Sequence, residues 1–186
     1  MSSTKPELYW SKPKGMLPNS RYPLLVFRGG IAGGELVVRQ RFQANGWLNN
    51  WRYPGIYTYP HFHSTTHECL GVAAGWMEVE VFGRGGLRLR VSDGDVIVMP
   101  AGVSHCMVGQ SEDIMMVGGY PDGRDWDNVQ EAHLSEEGRR AAAKRIMMLP
   151  IPTRDPVHGN PMQEWIDAPS SVDADLNDFR DGLDPV

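Results

Sequence analysis

Between Gly55 and Tyr120 apolar and polar residues alternate in short runs that stop at turn residues, as in Met77-EVEVF-Gly83, Leu87-RLRV-Ser92 and Asp95-VIVM-Pro100. Successive side chains of a strand face opposite ways, so period-two runs of this length predict strands of a sandwich or barrel. Gly83-Arg-Gly-Gly86 and Ser92-Asp-Gly94 are the turns between them. A different pattern precedes this region. Residues Glu35 to Ala44 set Val38 and Phe42 four apart, which predicts a helix ended by Asn45-Gly46, although the β-branched ELVVRQRF segment also fits a strand. Farther upstream Pro6, Pro13, Pro18 and Pro23 interrupt isolated apolar positions and predict an extended arm over the barrel, with Tyr22 to Phe27 able to pair as a strand.

After the barrel, Ser135 followed by Glu136 and Glu137, then Arg139, Arg140, Lys144 and Arg145, reads as a capped helix to about Met147 whose charges complement its dipole. The proline-rich LPIPTRDPVHGNPMQEW is expected to pack back as an ordered strap through Trp165. The organisation that follows is an N-terminal arm and short helix over 1–54, a barrel core over 55–120, a loop, helix and strap over 121–165, and an acidic tail over 166–186. The tail is expected to be mobile, with Leu176 and Phe179 its apolar positions.

Composition narrows the partners. The 186 residues suit one domain, and the formal charge of -5 resides in the tail, whose six Asp face one Arg. The rest of the chain is balanced, so nothing points to nucleic acid or an anionic membrane surface. No stretch approaches the roughly 20 apolar residues of a membrane span, and the N-terminus lacks the pattern of a signal peptide, so a soluble cytoplasmic protein is expected. Cys69 and Cys106 are expected to be buried free thiols, with a disulfide or metal ligation the alternatives.

Candidate chemistry lies in two stretches, Gly55-IYTYP-His61-Phe62-His63-STTH-Glu68-CLGVAA-Gly75 and Gly94-DVIVM-Pro100-Ala101-Gly102-VS-His105. Strand alternation turns His61 and His63 the same way, with Phe62 opposite. Together the stretches resemble the two motifs of the cupin superfamily, G-x5-HxH-x4-E-x6-G and G-x5-PxG-x2-H-x3-N, departing only where Gly109 replaces the final Asn. The resemblance implies an all-β core, a double-stranded β-helix or jelly-roll barrel with peripheral helices, and it implies His61, His63, Glu68 and His105 as metal ligands. Such a set suits one divalent transition metal, Fe, Mn, Ni, Co, Cu or Zn, without choosing among them. The outer segments Asn45-Gly46-Trp47, GGYPDGRDWD and PIPTRDPVHG narrow the resemblance to the YjlB-like single-barrel cupins.

Around this set, Tyr57 and Tyr59 share phase with His61 and are expected to face the barrel interior as proton donors or an aromatic wall. His67 is a candidate acid/base at the barrel mouth, a surface residue, or a group supporting the ligands. Ile97, Met99 and Met107 are expected to line the cavity, and Arg124, in a loop over the mouth, is a candidate for binding a substrate carboxylate. The expected function is a metal-dependent enzyme acting on a small organic molecule. It is a dioxygenase if iron is native, with a Lewis-acid isomerase, decarboxylase or lyase using Zn, Mn or Ni, or a non-catalytic binding barrel, as the alternatives. The family resemblance also implies a homodimer, with the N-terminal arm expected to cross between subunits.

Overall fold

Strand sequences in this chain include two clear kinds, and the computed structural model, which describes residues 5–12 and 14–169, puts the wholly apolar LLVF and VIVM in one sheet and the alternating LRLRV in the other. The first sheet has six strands in the order β1 (Glu7–Tyr9), β2 (Leu24–Phe27), β8 (Val96–Met99), β5 (Glu68–Ala74), β10 (Met115–Pro121) and β3 (Trp47–Tyr53). The second has five, ordered β11 (Val129–Gln130), β4 (His61–Phe62), β9 (His105–Gln110), β6 (Trp76–Val81) and β7 (Leu87–Ser92). All their pairings are antiparallel.

Burial explains the two kinds. Leu24, Val26, Leu70, Val72, Ile97 and Met99 of the first sheet meet Met77, Val79, Val81, Leu89 and Val91 of the second in one core. The opposite face of the first sheet, with Leu25, Phe27, Val96, Val98 and Val117, is covered as well. Its central strands are therefore apolar throughout, LLVF and VIVM, because neither face meets water. On β7 the outward Arg88 and Arg90 alternate with buried Leu89 and Val91, as expected for a sheet wet on one side.

The cover on the first sheet is α1 (Gly34–Ala44), which buries Val38 and Phe42. The segment that also fitted a strand is thus a helix. A notch in β5 receives it: a Cβ on Gly71 would stand 2.6 Å from Val38 Cγ1 and 3.1 Å from Phe42 Cζ, so only glycine allows this approach. The strap lies beside it, with Trp47 Nε1 donating to the Arg154 carbonyl at 2.9 Å, Arg41 donating to that of Val157 at 2.8 Å, and Trp165 buried at the end.

The second helix, α2 (Glu136–Met147), covers Phe62 and Leu17 on the outside of the second sheet through Ala142 and Ile146. Ser135 Oγ accepts the Gly138 N–H at 3.1 Å, which satisfies one of the free amides of the first turn. Ser135→Ala is expected to cost about 1 kcal/mol. A urea titration should show a lower midpoint at unchanged slope.

Two expectations about extent are corrected. The barrel is not confined to 55–120, since β2 and β3 are integral strands of its first sheet. Nor is the segment before His61 a strand: residues 54–60 turn between Pro54 and Pro60, and β4 covers only His61–Phe62. In the N-terminal arm, β1 pairs with β2. Cys69 and Cys106 are free and buried. The acidic segment with Leu176 and Phe179 falls on 170–186, outside the described residues.

Candidate metal centre

β4 and β9 pair at one position, His61 opposite His105, which brings two imidazoles to ring centroids 4.3 Å apart. His63, just beyond β4, adds a third ring, 5.3 Å from His61 and 5.6 Å from His105. One nitrogen from each can be chosen so that all three lie within 4.8 Å of one another, and all three residues are buried. Glu68 opens β5 on the other sheet, and its Oε2 lies 3.3 Å from His63 Nε2 and 3.6 Å from His105 Nε2. The two sheets thus each contribute to one cluster.

The rings are held from behind. His61 Nδ1 meets the Tyr59 carbonyl at 3.1 Å, His105 Nδ1 meets that of Val103 at 3.0 Å, and His63 Nδ1 meets that of Asp127. A carbonyl only accepts, so each Nδ1 carries a hydrogen and each Nε2 lies on the side of the ring away from its anchor. Three imidazoles with Nδ1–H so engaged, beside a carboxylate, match the donor set and outer hydrogen bonding of a transition-metal site. Asp127 is itself fixed, its carboxylate accepting the Ser64 and Thr65 N–H groups at 2.6 and 3.2 Å. Arg145 of α2 reaches the same group, 2.8 Å from Ser64 Oγ and 3.6 Å from Asp127 Oδ2.

The electrostatics differ from ring to ring. Burial, then the neighbouring His105 and His63, bring the His61 pKa down to about 3, so this ring is neutral over the ordinary pH range. Burial also works against charge on His63, but the Glu68 carboxylate outweighs it and the net shift is upward. For Glu68 burial favours the acid form, and His63 and His105 more than reverse it, so the carboxylate is ionised. Burial and then the Glu68 charge push the Tyr120 hydroxyl far up, so it stays a donor.

These groups line the inner end of a cavity of about 410 Å³, walled by Trp51, Tyr53, Ile56, Tyr57 and Trp126, with Asn49, Asn50 and Arg52 the other polar residues. Of the tyrosines expected inside the barrel, Tyr57 lines this cavity and is 43% exposed, at the mouth rather than the interior. Tyr59 stacks on it at 4.9 Å and accepts a hydrogen bond from Asn128 at 3.0 Å. His67 is not brought here. It is buried on the reverse side, where Nδ1 accepts the Ala101 N–H at 2.9 Å and the ring packs 4.7 Å from Trp165, and burial brings its pKa down to about 3. Arg124 accompanies His67 at a separate cavity of about 100 Å³. Ile97 and Met99 fill the core between the sheets, with Met107 packed against it, instead of lining the cavity.

Trp51, and the contacts that Tyr120 and the Asp127 carbonyl make with Glu68 and His63, are what sequence reasoning missed. Consecutive asparagines inside a strand were the available signal. Asn49 has φ 52, the left-handed region in which asparagine is the best tolerated residue after glycine, and it lies where the β3–β10 register slips.

Two antiparallel sheets closed over a buried three-histidine cluster beside a carboxylate define a jelly-roll barrel with a possible metal site. Residues 42–125 match the Cupin family model. The chain is 30% identical over 164 residues, 86% of its length and 96% of the other, to YjlB of Bacillus subtilis (strain 168), a protein itself described as uncharacterized. It belongs to the YjlB-like cupins. Among solved structures it is similar to acireductone dioxygenase from Bacillus anthracis with cadmium in its active centre, at 14% identity and TM-score 0.37, over 48% of this chain and 59% of that one. It is also similar to an oxalate decarboxylase variant from Bacillus subtilis, at 18% identity and TM-score 0.37, over 69% of this chain and 34% of that one. Among the described residues no helix is long and apolar enough to cross a membrane.

Proposed function

We propose that this cupin is a metal-dependent enzyme acting on a small organic molecule, with His61, His63, His105 and Glu68 holding one divalent transition metal. The observation that carries the reading is the engagement of all three Nδ1 atoms by main-chain carbonyls, which leaves the three Nε2 atoms as the nitrogens available to a metal at the end of an open cavity. A bound ion would supply Lewis-acid polarisation of an oxygen donor or, with iron, reaction with dioxygen. The protein's own contribution is a binding space and a place to exchange protons. Trp51, Ile56 and Trp126 offer apolar surface to a flat or hydrophobic substrate, and the half-exposed Tyr57 hydroxyl can exchange a proton with solvent. With iron as the native metal the reading is a dioxygenase; with zinc, manganese or nickel it is an isomerase, decarboxylase or lyase.

A homodimer belongs to the same reading. β3 ends its sheet with Leu48 and Tyr53 exposed, and a second copy would cover such an edge.

The test is metal analysis of protein purified without chelators, by plasma mass spectrometry, followed by oxygen uptake with catechols, diketones and thiols. Stoichiometric iron with substrate-dependent uptake supports the dioxygenase. Zinc, manganese or nickel without uptake selects Lewis-acid chemistry, and protein that neither retains nor takes up any of these metals refutes the reading.

A further inference from the structure

Glu68 has two oxygens with different neighbours. Oε1 accepts the Tyr120 phenol proton at 2.9 Å, whereas Oε2 is the oxygen that faces His63 and His105. Tyr120 Oη in turn accepts from Trp51 Nε1 at 2.8 Å. An indole N–H can only donate, so this bond occupies a lone pair of the phenol and leaves its single proton for Glu68. The direction of the chain from Trp51 through Tyr120 to Glu68 is therefore determined by the groups themselves.

The backbone sets its geometry. Gly118 pairs with Trp51 but Tyr120 with Leu48, so β3 carries one residue more than β10 between those pairs. Such a bulge re-aims the side chains beside it. Asn50 Nδ2 ties it down by donating to the Trp47 and Gly118 carbonyls, both at 3.1 Å. Gly118 leaves the space the indole needs, since a Cβ there would stand 2.0 Å from Trp51 Cε2.

We propose that Tyr120, oriented by Trp51 across this bulge, is a positioning residue that keeps Glu68 Oε1 occupied, so that the carboxylate turns one oxygen only toward the histidine cluster. The proposal rests on the metal reading above and adds to it the control of the carboxylate. A carboxylate held by one oxygen leaves more of the cluster's open side to a substrate than one turned to present both.

Cobalt(II) alone is the probe. Apo-protein is titrated with it for wild type, Tyr120→Phe and Trp51→Phe, reading affinity and the visible d–d bands, with circular dichroism for folding. Tyr120→Phe is expected to weaken binding roughly 10-fold, within the ~10–100-fold cost of losing an outer hydrogen-bond partner, and to change band intensity as the freed carboxylate turns. Trp51→Phe keeps the hydroxyl and removes its orienting donor, so both readouts should move the same way by less. A merely structural role for Tyr120 leaves the bands of the folded, loaded protein unchanged. Wild-type affinity and bands in Tyr120→Phe overturn the proposal. If that variant does not fold, Trp51→Phe decides in its place, unchanged bands overturning the proposal and shifted bands supporting it. Wild type that takes up no cobalt overturns the metal reading itself, a result distinct from loaded wild type beside an indifferent Tyr120→Phe.

Discussion

Replacing His61 or His105 by alanine is expected to leave a folded barrel that retains no metal. Each substitution removes one of three clustered nitrogens and the β4–β9 contact between the two rings. The loss in affinity should exceed the roughly 10–100-fold that follows removal of an outer hydrogen-bond partner, because an electron pair is removed and not merely reoriented. Folding should suffer less than in a truncation of the dry core, where about 2–5 kcal/mol is usual, because both rings border the open cavity and water can enter the space. Plasma mass spectrometry and circular dichroism on the same preparations check both parts. Full metal occupancy in either variant would remove these residues from the ligand set.

Trp165→Ala is expected to produce the largest loss of stability. Trp165 is 1% exposed, stacks on Tyr22 at 5.0 Å and donates from Nε1 to the Pro23 carbonyl at 2.9 Å. Truncation of a buried tryptophan costs about 3–5 kcal/mol. The Pro23 carbonyl, between the arm and β2, also loses its partner. For a chain of this size the melting temperature should fall by roughly 10 °C or more, read by calorimetry. Metal content measured well below the transition should not change, since Trp165 lies behind His67 on the far side of the first sheet from the cluster. A shift within about 2 °C would show that the strap is not part of the cooperative fold.

What was legible in the chain was local. The Val38–Phe42 helix face and the Ser135 cap each lie within a few residues, and each is seen in the structure; the two motif spacings are equally local, and the fold brings their three histidines together beside Glu68. Long-range pairing was not legible. β3 is an edge strand with only Trp47 fully buried, so WLNNWRY lacks the alternation that marks a strand, and its place beside β10 depends on residues about 65 positions away. For Tyr57 and Tyr59, counting phase back from His61 presumes a strand where residues 54–60 turn instead, and Tyr57 lines the cavity at its mouth. His67 follows from the alternation itself, since the neighbour of an inward Glu68 must face outward, and that face is covered by Tyr22 and Trp165.

The acceptors behind the three imidazoles are all main-chain oxygens, two of them from the residue two places before the histidine they serve. Replacing the side chains at 59 or 103 leaves those oxygens in their places, so the orientation of His61 and His105 is insulated from local variation. His63 depends on a carbonyl supplied from the 122–128 connection, a distant piece of chain. Insertions or deletions there would reset one imidazole while the other two stay put, which makes that loop length the dial by which a barrel of this design can be retuned.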